Sequence, residues 1–325
     1  MRKIISTSIF TVAIIFGLGV GYGAVKTTGI VYGAASAYVA EVTTNLNFSK
    51  ENKGGPDAEP IIESELNEVK EPVDSRIFYI ANQDKKPKVT ALSFLVADLE
   101  SGKVLLSKNI NQQLPIASVT KLMTAVVADE TLGLDYKTTV DSTAINTYGT
   151  QGNLKKGEKY SVSELLYPLL LESSNDAAEA LARAKNRPSF ITDMNAKAKS
   201  IGLLNTEYED ASGLSPNNKS NVTDLFRLVQ YIHEYRSYLF EITTEKKKDL
   251  GNKTWFSNSR FRSDDAYVGG KNGFTDEALK TQVALFEQEF GGEKRTIVYI
   301  ILRSNDVAND ISVLRNFVEK NVQYK

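Results

Sequence analysis

The stretch Pro115-Ile116-Ala117-Ser118-Val119-Thr120-Lys121-Leu122-Met123 sets a serine three residues ahead of a lysine, at the head of a largely apolar run that continues to Glu130. Residues three apart on a helix share a face one turn apart. A helix from Ser118 to Glu130 therefore brings the Lys121 amine within reach of the Ser118 hydroxyl, so that nucleophile and base come from one segment. The positive end of the helix field favours an attacking alkoxide there and penalises a neighbouring ammonium.

The rest of the composition leaves few other ways to build a hydrolase. The 325 residues contain no cysteine and a single histidine, His233. Thiolate chemistry, disulfides and a zinc site of nitrogen and sulfur ligands are excluded on that count, and no cofactor or metal is expected. His233 lies in the apolar-periodic stretch Leu225, Phe226, Leu228, Val229, Ile232, which predicts an amphipathic helix with the histidine as a surface or packing residue. A hydrophobic fraction of 42% with 24% charged residues is ordinary for a globular domain. The net charge of -1 offers no basic footprint for nucleic acid.

The N-terminal part reads differently. Arg2 and Lys3 precede an uncharged run from Ile4 to Val25, whose 22 residues at helical rise match a hydrocarbon core of about 30 Å. Run length favours an uncleaved anchor, while Ala35-Ser36-Ala37 offers a small-residue cleavage site. Basic residues before the run place the bulk of the chain outside the cell membrane. Glu51 to Ser75 carries eight acidic residues against two lysines, with three prolines and little apolar periodicity, and predicts a disordered acidic spacer. The expected division is a signal or anchor segment at 1–40, a linker at 41–77 and a catalytic domain at 78–325.

Within that domain, Val89 to Asp98 alternates as a strand and turns at Glu100-Ser101-Gly102-Lys103 into Val104-Leu105-Leu106, a hairpin. Ser161-Val162-Ser163-Glu164 is a capping box opening a leucine-rich helix, expected at the domain centre. Glu172-Ser173-Ser174-Asn175-Asp176 then leads into a second helix from Ala177, which leaves Ser173 and Asn175 on the connection. A hydroxyl and a carboxamide there can relay a proton and grip an amide, although Ser, Asn and Asp are also ordinary cap residues. Farther on, Ala266 to Thr275 predicts a strand closing on Lys271. Its glycines Gly269, Gly270 and Gly273 leave room for a ligand backbone. Two more strands, Thr281 to Phe286 and Arg295 to Leu302, and a helix from Asn309 to Glu319 complete the pattern.

The order Ser-x-x-Lys at Ser118 to Lys121, Ser-x-Asn at Ser173 to Asn175 and Lys-x-Gly at Lys271 to Gly273 resembles the serine D-alanyl-D-alanine carboxypeptidases. These are low-molecular-weight penicillin-binding proteins related to serine beta-lactamases. Gly152-Asn153-Leu154-Lys155-Lys156-Gly157 and Ala211-Ser212-Gly213-Leu214-Ser215-Pro216 add to the likeness, which covers Phe78 to the C-terminus. The resemblance implies an α+β, beta-lactamase/transpeptidase-like fold, an antiparallel sheet packed with a helical cluster, here with an N-terminal membrane helix in addition. It implies Ser118 as acylated nucleophile, Lys121 as base, Ser173 as proton relay and Asn175 as orienter of the substrate amide. It further implies Lys271 as a source of positive potential for the relay and the substrate carboxylate. Asn272 and Gly273 would lie along the substrate, and the N–H groups of Ser118 and Phe274 would form the oxyanion hole.

One position departs from the family pattern: Asn272 stands where a hydroxyl residue is usual, and an amide reaches a carboxylate at a different length and angle. The function the resemblance implies is removal of the terminal D-alanine from peptidoglycan stem peptides, with beta-lactams as acylating inhibitors and the membrane as a further partner. A transpeptidase or endopeptidase of the same chemistry, and a wall-binding protein with weakened catalysis, are the alternatives. A beta-lactamase fits less well, since no Glu-x-x-Leu-Asn segment follows the Ser-x-Asn turn.

Overall fold

The computed structural model describes residues 27–33, 36–42, 78–80, 86–149 and 151–324. The chain forms two compact units, 1–70 and 71–325. In the first, Thr27–Gly33 and Ser36–Val42 pair as an antiparallel hairpin. That hairpin falls within the expected anchor segment, 1–40, and the first two residues of the expected linker, where no strand is predicted from the sequence. The uncharged run 4–25 and the acidic stretch 51–75 lie outside the described residues. Among the described residues no helix is long and apolar enough to cross a membrane.

The second unit is built on five antiparallel strands: β1 (Ser93–Asp98), β2 (Val104–Lys108), β3 (Tyr267–Thr275), β4 (Leu279–Phe290) and β5 (Glu293–Ser304). Their order across the sheet is β3-β4-β5-β1-β2. The unit thus forms one edge of the sheet first, β1 and β2, leaves through the helices and returns to complete the sheet, with β3 at the opposite edge.

Both faces of the sheet are covered. Leu95, Ala97, Val283, Leu285, Val298 and Ile300 belong to the core beneath the helical cluster. Their strand neighbours Phe94, Val96, Ala284, Phe286, Ile297 and Tyr299 belong to a second core closed by the C-terminal helix. This explains a departure from ordinary strand patterning: every residue of β1 is buried, because successive side chains point to opposite faces and neither face is wet. The strand also begins only at Ser93. Ahead of it Thr90 is drawn off by Asp310, whose carboxylate accepts from the Thr90 N–H at 2.7 Å and the hydroxyl at 2.8 Å.

The helical cluster comprises α1 (Thr120–Leu132), α2 (Val162–Leu170), α3 (Asn175–Lys185), α4 (Arg187–Ser200), α5 (Val222–Tyr235) and α6 (Tyr238–Thr244); α7 (Val307–Asn321) covers the other face. Nine successive residues of α1, Thr120 to Ala128, are buried, the pattern of a helix surrounded on every side. The Leu-rich α2 packs beside it, opened by the Ser161/Glu164 capping box that the sequence announces. Strands β4 and β5 run several residues beyond their apolar centres to meet at a Gly291-Gly292 turn. His233 is exposed on α5.

Candidate active site

Ser118 occupies a single 3-10 turn, Ala117–Val119, just ahead of α1. Ala117 takes φ +47, a left-handed conformation that costs a residue with a Cβ about 1–2 kcal/mol. Two bare backbone positions hold it there. A Cβ on Gly213, itself at φ +86, would stand 2.0 Å from the Ala117 carbonyl oxygen and 2.9 Å from the Ser118 nitrogen. A Cβ on Gly273 of β3 would stand 2.7 Å from the same nitrogen. Thr281, paired with Gly273, donates its hydroxyl to the Ile116 carbonyl at 3.0 Å. The bareness that the sequence offers to a ligand is, at Gly273, occupied by the backbone of the turn carrying Ser118.

Lys121, 0% exposed, points its Nζ at three oxygens: Ser118 Oγ at 3.0 Å, Asn175 Oδ1 at 2.8 Å and the Ser212 carbonyl at 2.5 Å. Burial holds this amine well below the ordinary lysine range. The charge of Lys271 adds to the depression and Asp210 works against it. A neutral amine has two hydrogens and one lone pair. The Asn175 and Ser212 oxygens can only accept, so they take both hydrogens and leave the lone pair facing the Ser118 hydroxyl. That count fits a general base poised on a nucleophile.

The Ser212 carbonyl is fixed by a knot of hydrogen bonds around Asp210. Its Oδ1 accepts from the N–H groups of Ser212 and Gly213, at 2.7 and 2.6 Å, and its Oδ2 from that of Ser215 at 2.6 Å. Asn218 ties the knot to α1 by donating from Nδ2 to Thr120 Oγ1 and to the Asp210 carbonyl.

Ser173 and Asn175 enter from the α2–α3 connection. The cap of α3 is Ser174, which accepts from the Ala177 N–H and donates to the Gln151 carbonyl. Its neighbours are thereby spared the capping role that their residue types suggest. Asn175 opens the helix itself, with Oδ1 on Lys121 and Nδ2 donating to the Tyr148 carbonyl at 2.6 Å. Ser173 lines the same cleft as Ser118 at φ +64, a second left-handed residue of the site.

On β3 the residues divide by face. Lys271 pairs with Val283, on the side of the helical cluster, and is 1% exposed; Nζ donates to the Asn272 carbonyl at 2.8 Å. Burial pushes its amine down to about 7. The expectation of an accessible cation there differs from what is seen: Lys271 lies behind the cleft wall, and Asn272, Gly273 and Phe274 line the cleft. Gly270 donates its N–H to Thr243 Oγ1 on α6 at 2.9 Å, outward from the sheet. N–H directions alternate along a strand, so those of Asn272 and Phe274 also point outward, toward the cleft.

The cleft measures about 770 Å³. It brings together Ser118, Ser173, Asn175, Asn272, Gly273 and Phe274, with Lys121 beneath the floor. Sequence reasoning missed three contributors. The Ser212 carbonyl is a backbone group, signalled only by the Ala211 to Pro216 stretch. Tyr148 shows 83% of its surface at the cleft while its carbonyl holds Asn175. Glu172 braces the wall, taking the N–H of Gly152 at 2.8 Å and of Phe256 at 2.9 Å. Among the described residues no cluster of His, Cys, Asp or Glu is arranged to hold a metal.

Comparison with known proteins points the same way. The family model described as D-alanyl-D-alanine carboxypeptidase matches residues 80–299. A D-alanyl-D-alanine endopeptidase of Pseudomonas aeruginosa is 35% identical over 198 residues, covering 57% of this chain and 64% of that protein. The D-alanyl-D-alanine carboxypeptidase DacF of Bacillus subtilis is 31% identical over 201 residues, covering 58% and 52%. The chain thus spans between half and two thirds of the length of these relatives. A crystal structure of a D-alanyl-D-alanine carboxypeptidase from Mycobacterium tuberculosis superposes with a TM-score of 0.66 at 27% identity, over 73% of this chain and 94% of that one. A penicillin-binding protein of Listeria monocytogenes, solved in its cefotaxime-bound form, gives 0.61 at 26% identity, over 72% and 98%.

Proposed function

The chain belongs to the D-alanyl-D-alanine carboxypeptidase family, and from that premise we propose that it is a serine carboxypeptidase acting on the D-alanyl-D-alanine end of peptidoglycan stem peptides. The observation that carries the reading is the buried Lys121 amine, with two carbonyl-type acceptors and a serine hydroxyl as its three neighbours.

Ser118 Oγ attacks the carbonyl of the penultimate D-alanine while its proton passes to Lys121 Nζ. The oxyanion forms against the N–H groups of Ser118 and Phe274, where each fixed donor contributes on the order of 3 kcal/mol. Collapse breaks the peptide bond, and the proton returns to the departing amine by way of Ser173. Water then attacks the acyl-serine, with Lys121 again taking a proton, and releases the shortened peptide. Asn175 orients the substrate amide and keeps Lys121 in place, and Lys271 adds positive potential from behind β3.

Beta-lactams would acylate the same serine, which the likeness to a cefotaxime-bound penicillin-binding protein supports. A second reading, endopeptidase action on cross-links, is favoured by the name of the Pseudomonas relative. The uncharged run from Ile4 to Val25 supports export and retention at the membrane, to be tested by cell fractionation with N-terminal sequencing.

The decisive experiment compares purified protein with Ser118→Ala. The intact protein should take a covalent fluorescent penicillin label and release D-alanine from a pentapeptide ending in D-Ala-D-Ala, and the variant should do neither. No label and no D-alanine from the intact protein sinks the proposal, and preferential hydrolysis of a cross-linked dimer selects the second reading.

A further inference from the structure

The chain has one tryptophan, Trp255, and the chemistry just described makes no use of it. It sits on the second strand of a hairpin, Lys247–Leu250 paired with Lys253–Phe256, that follows α6. Its ring is 1% exposed and meets Tyr160 edge-on at 6.2 Å. A buried indole N–H needs an acceptor, and this one donates outside the hairpin, to the Gly152 carbonyl at 2.8 Å. Lys253, buried on the same strand, donates to the adjoining Asn153 carbonyl and pairs with Glu158 at 3.0 Å.

Gly152 is held at both of its backbone groups. Its N–H goes to Glu172, whose other oxygen takes the Phe256 N–H of the same hairpin. A Cβ on Gly152 would stand 2.5 Å from Ser174 Oγ, the cap of α3, which itself donates to the Gln151 carbonyl at 2.7 Å. On the upstream side, the Thr147 N–H donates to the Ala144 carbonyl at 3.2 Å. Tyr148 lies between these anchors, and its carbonyl accepts from Asn175 Nδ2 at 2.6 Å. A carbonyl can only accept, so it selects one of the two orientations open to a carboxamide: Nδ2 toward Tyr148 and Oδ1 toward Lys121. The reversed amide would offer Lys121 an N–H in place of an oxygen and take the lone pair that faces Ser118.

We propose that Trp255 is a positioning residue for the base: through Gly152 it holds the Tyr148 carbonyl where it fixes the Asn175 carboxamide, and with it the hydrogen bonds of Lys121. The inference rests on the proposed carboxypeptidase reading. Trp255 does not line the cleft, so its influence on the reaction passes through two backbone carbonyls and one amide side chain.

Trp255→Phe keeps an aromatic ring and removes the N–H. Acylation of the full chain by a fluorescent penicillin is followed against pH and expressed per folded molecule. The variant should acylate roughly tenfold more slowly on the plateau. Its acid limb should also move to lower pH, because an amide N–H facing Lys121 disfavours the ammonium that the oxygen favours. Lys271 and Asp210, the charged groups that act on Lys121, are untouched by the change. A wild-type rate, or a uniform drop with the limb in place, would overturn the assignment and leave the carboxypeptidase reading standing. If the variant does not fold, the coupling is read from the other end, with a fluorinated tryptophan at the single site. Asn175→Ala, which takes the donor from the Tyr148 carbonyl, should then shift the fluorine resonance, and an unshifted resonance overturns the assignment. An intact protein that takes no penicillin label and releases no D-alanine overturns both readings.

Discussion

Gly213 lies so close beneath Ala117 that a methyl group on it would stand 2.0 Å from the Ala117 carbonyl oxygen. The left-handed turn carrying Ser118 is therefore held by contact with a second segment, the one that also presents the Ser212 carbonyl to Lys121. The proposed nucleophile and base are set by one contact.

Gly213→Ala tests that contact. Both the φ of +86 and the clash with backbone oppose the methyl, so a destabilisation of about 2–4 kcal/mol is expected. The protein that remains folded should acylate slowly, because relief of the clash moves Ser118. Urea unfolding and penicillin acylation rates read the two effects, and a variant that acylates at the wild-type rate contradicts the clamp.

Asn175→Asp places a carboxylate against Lys121 in nearly the same volume. A negative neighbour favours the ammonium and so raises the pKa of Lys121. The fraction of enzyme with a free amine at a given pH then falls, and the acid limb of the acylation rate moves to higher pH. A uniform drop with no displacement of the limb would show that Asn175 does not tune the base.

Lys271 predicts a dependence of stability on pH. Its folded pKa of about 7 lies below the unfolded value near 10.4, so between the two the unfolded chain binds more protons. Stability should therefore rise as pH increases from 7 toward 10, and below 7 the full cost of the buried ammonium is present. Lys121 acts in the same direction. The thermal midpoint of Lys271→Met should rise less over this range, and an equal rise in variant and wild type would refute the assignment.

Asp98, fully buried at the end of β1, accepts two hydrogen bonds from Arg295, at 3.0 and 2.5 Å, and another from the Ser101 N–H. Burial raises its carboxyl pKa, but the bonds from Arg295 and Ser101 outweigh burial and hold it low. Asp98→Ala takes from a largely buried guanidinium its two short bonds, leaving the longer contact with Glu100 at 3.7 Å, and should cost about 3–5 kcal/mol. The site is remote from the cleft, so acylation per folded molecule should be unchanged; a loss there would mean that β1 communicates with Ser118.

The elements most legible in the sequence were those whose signals are local. The Ser161/Glu164 capping box fixed the start of α2, and apolar periodicity placed α5 and α7 within a few residues. The helix at Ser118 begins later than its spacing suggests, because the clamp by Gly213 and Gly273 tightens the first turn to a 3-10 geometry. The cap of α3 fell to Ser174, since a run of Ser-Ser-Asn-Asp contains several equivalent candidates and only backbone φ separates them. Lys271 was visible as a lysine among glycines, but its direction is a matter of strand register, which no spacing within β3 reveals. The Ser212 carbonyl had no residue-type signature.

Lys121 has no surface of its own, and of its three neighbours only Ser118 and Asn175 reach the cleft. Asn175 carries no ionisable group, so in the proposed reaction a proton gained by the amine leaves through hydroxyl oxygens at the cleft, Ser118 before acylation and Ser173 after it. A peptide filling the opening would screen both from bulk buffer. The proton taken from Ser118 would then be held for the departing amino acid, and turnover should be indifferent to the concentration of external proton carriers.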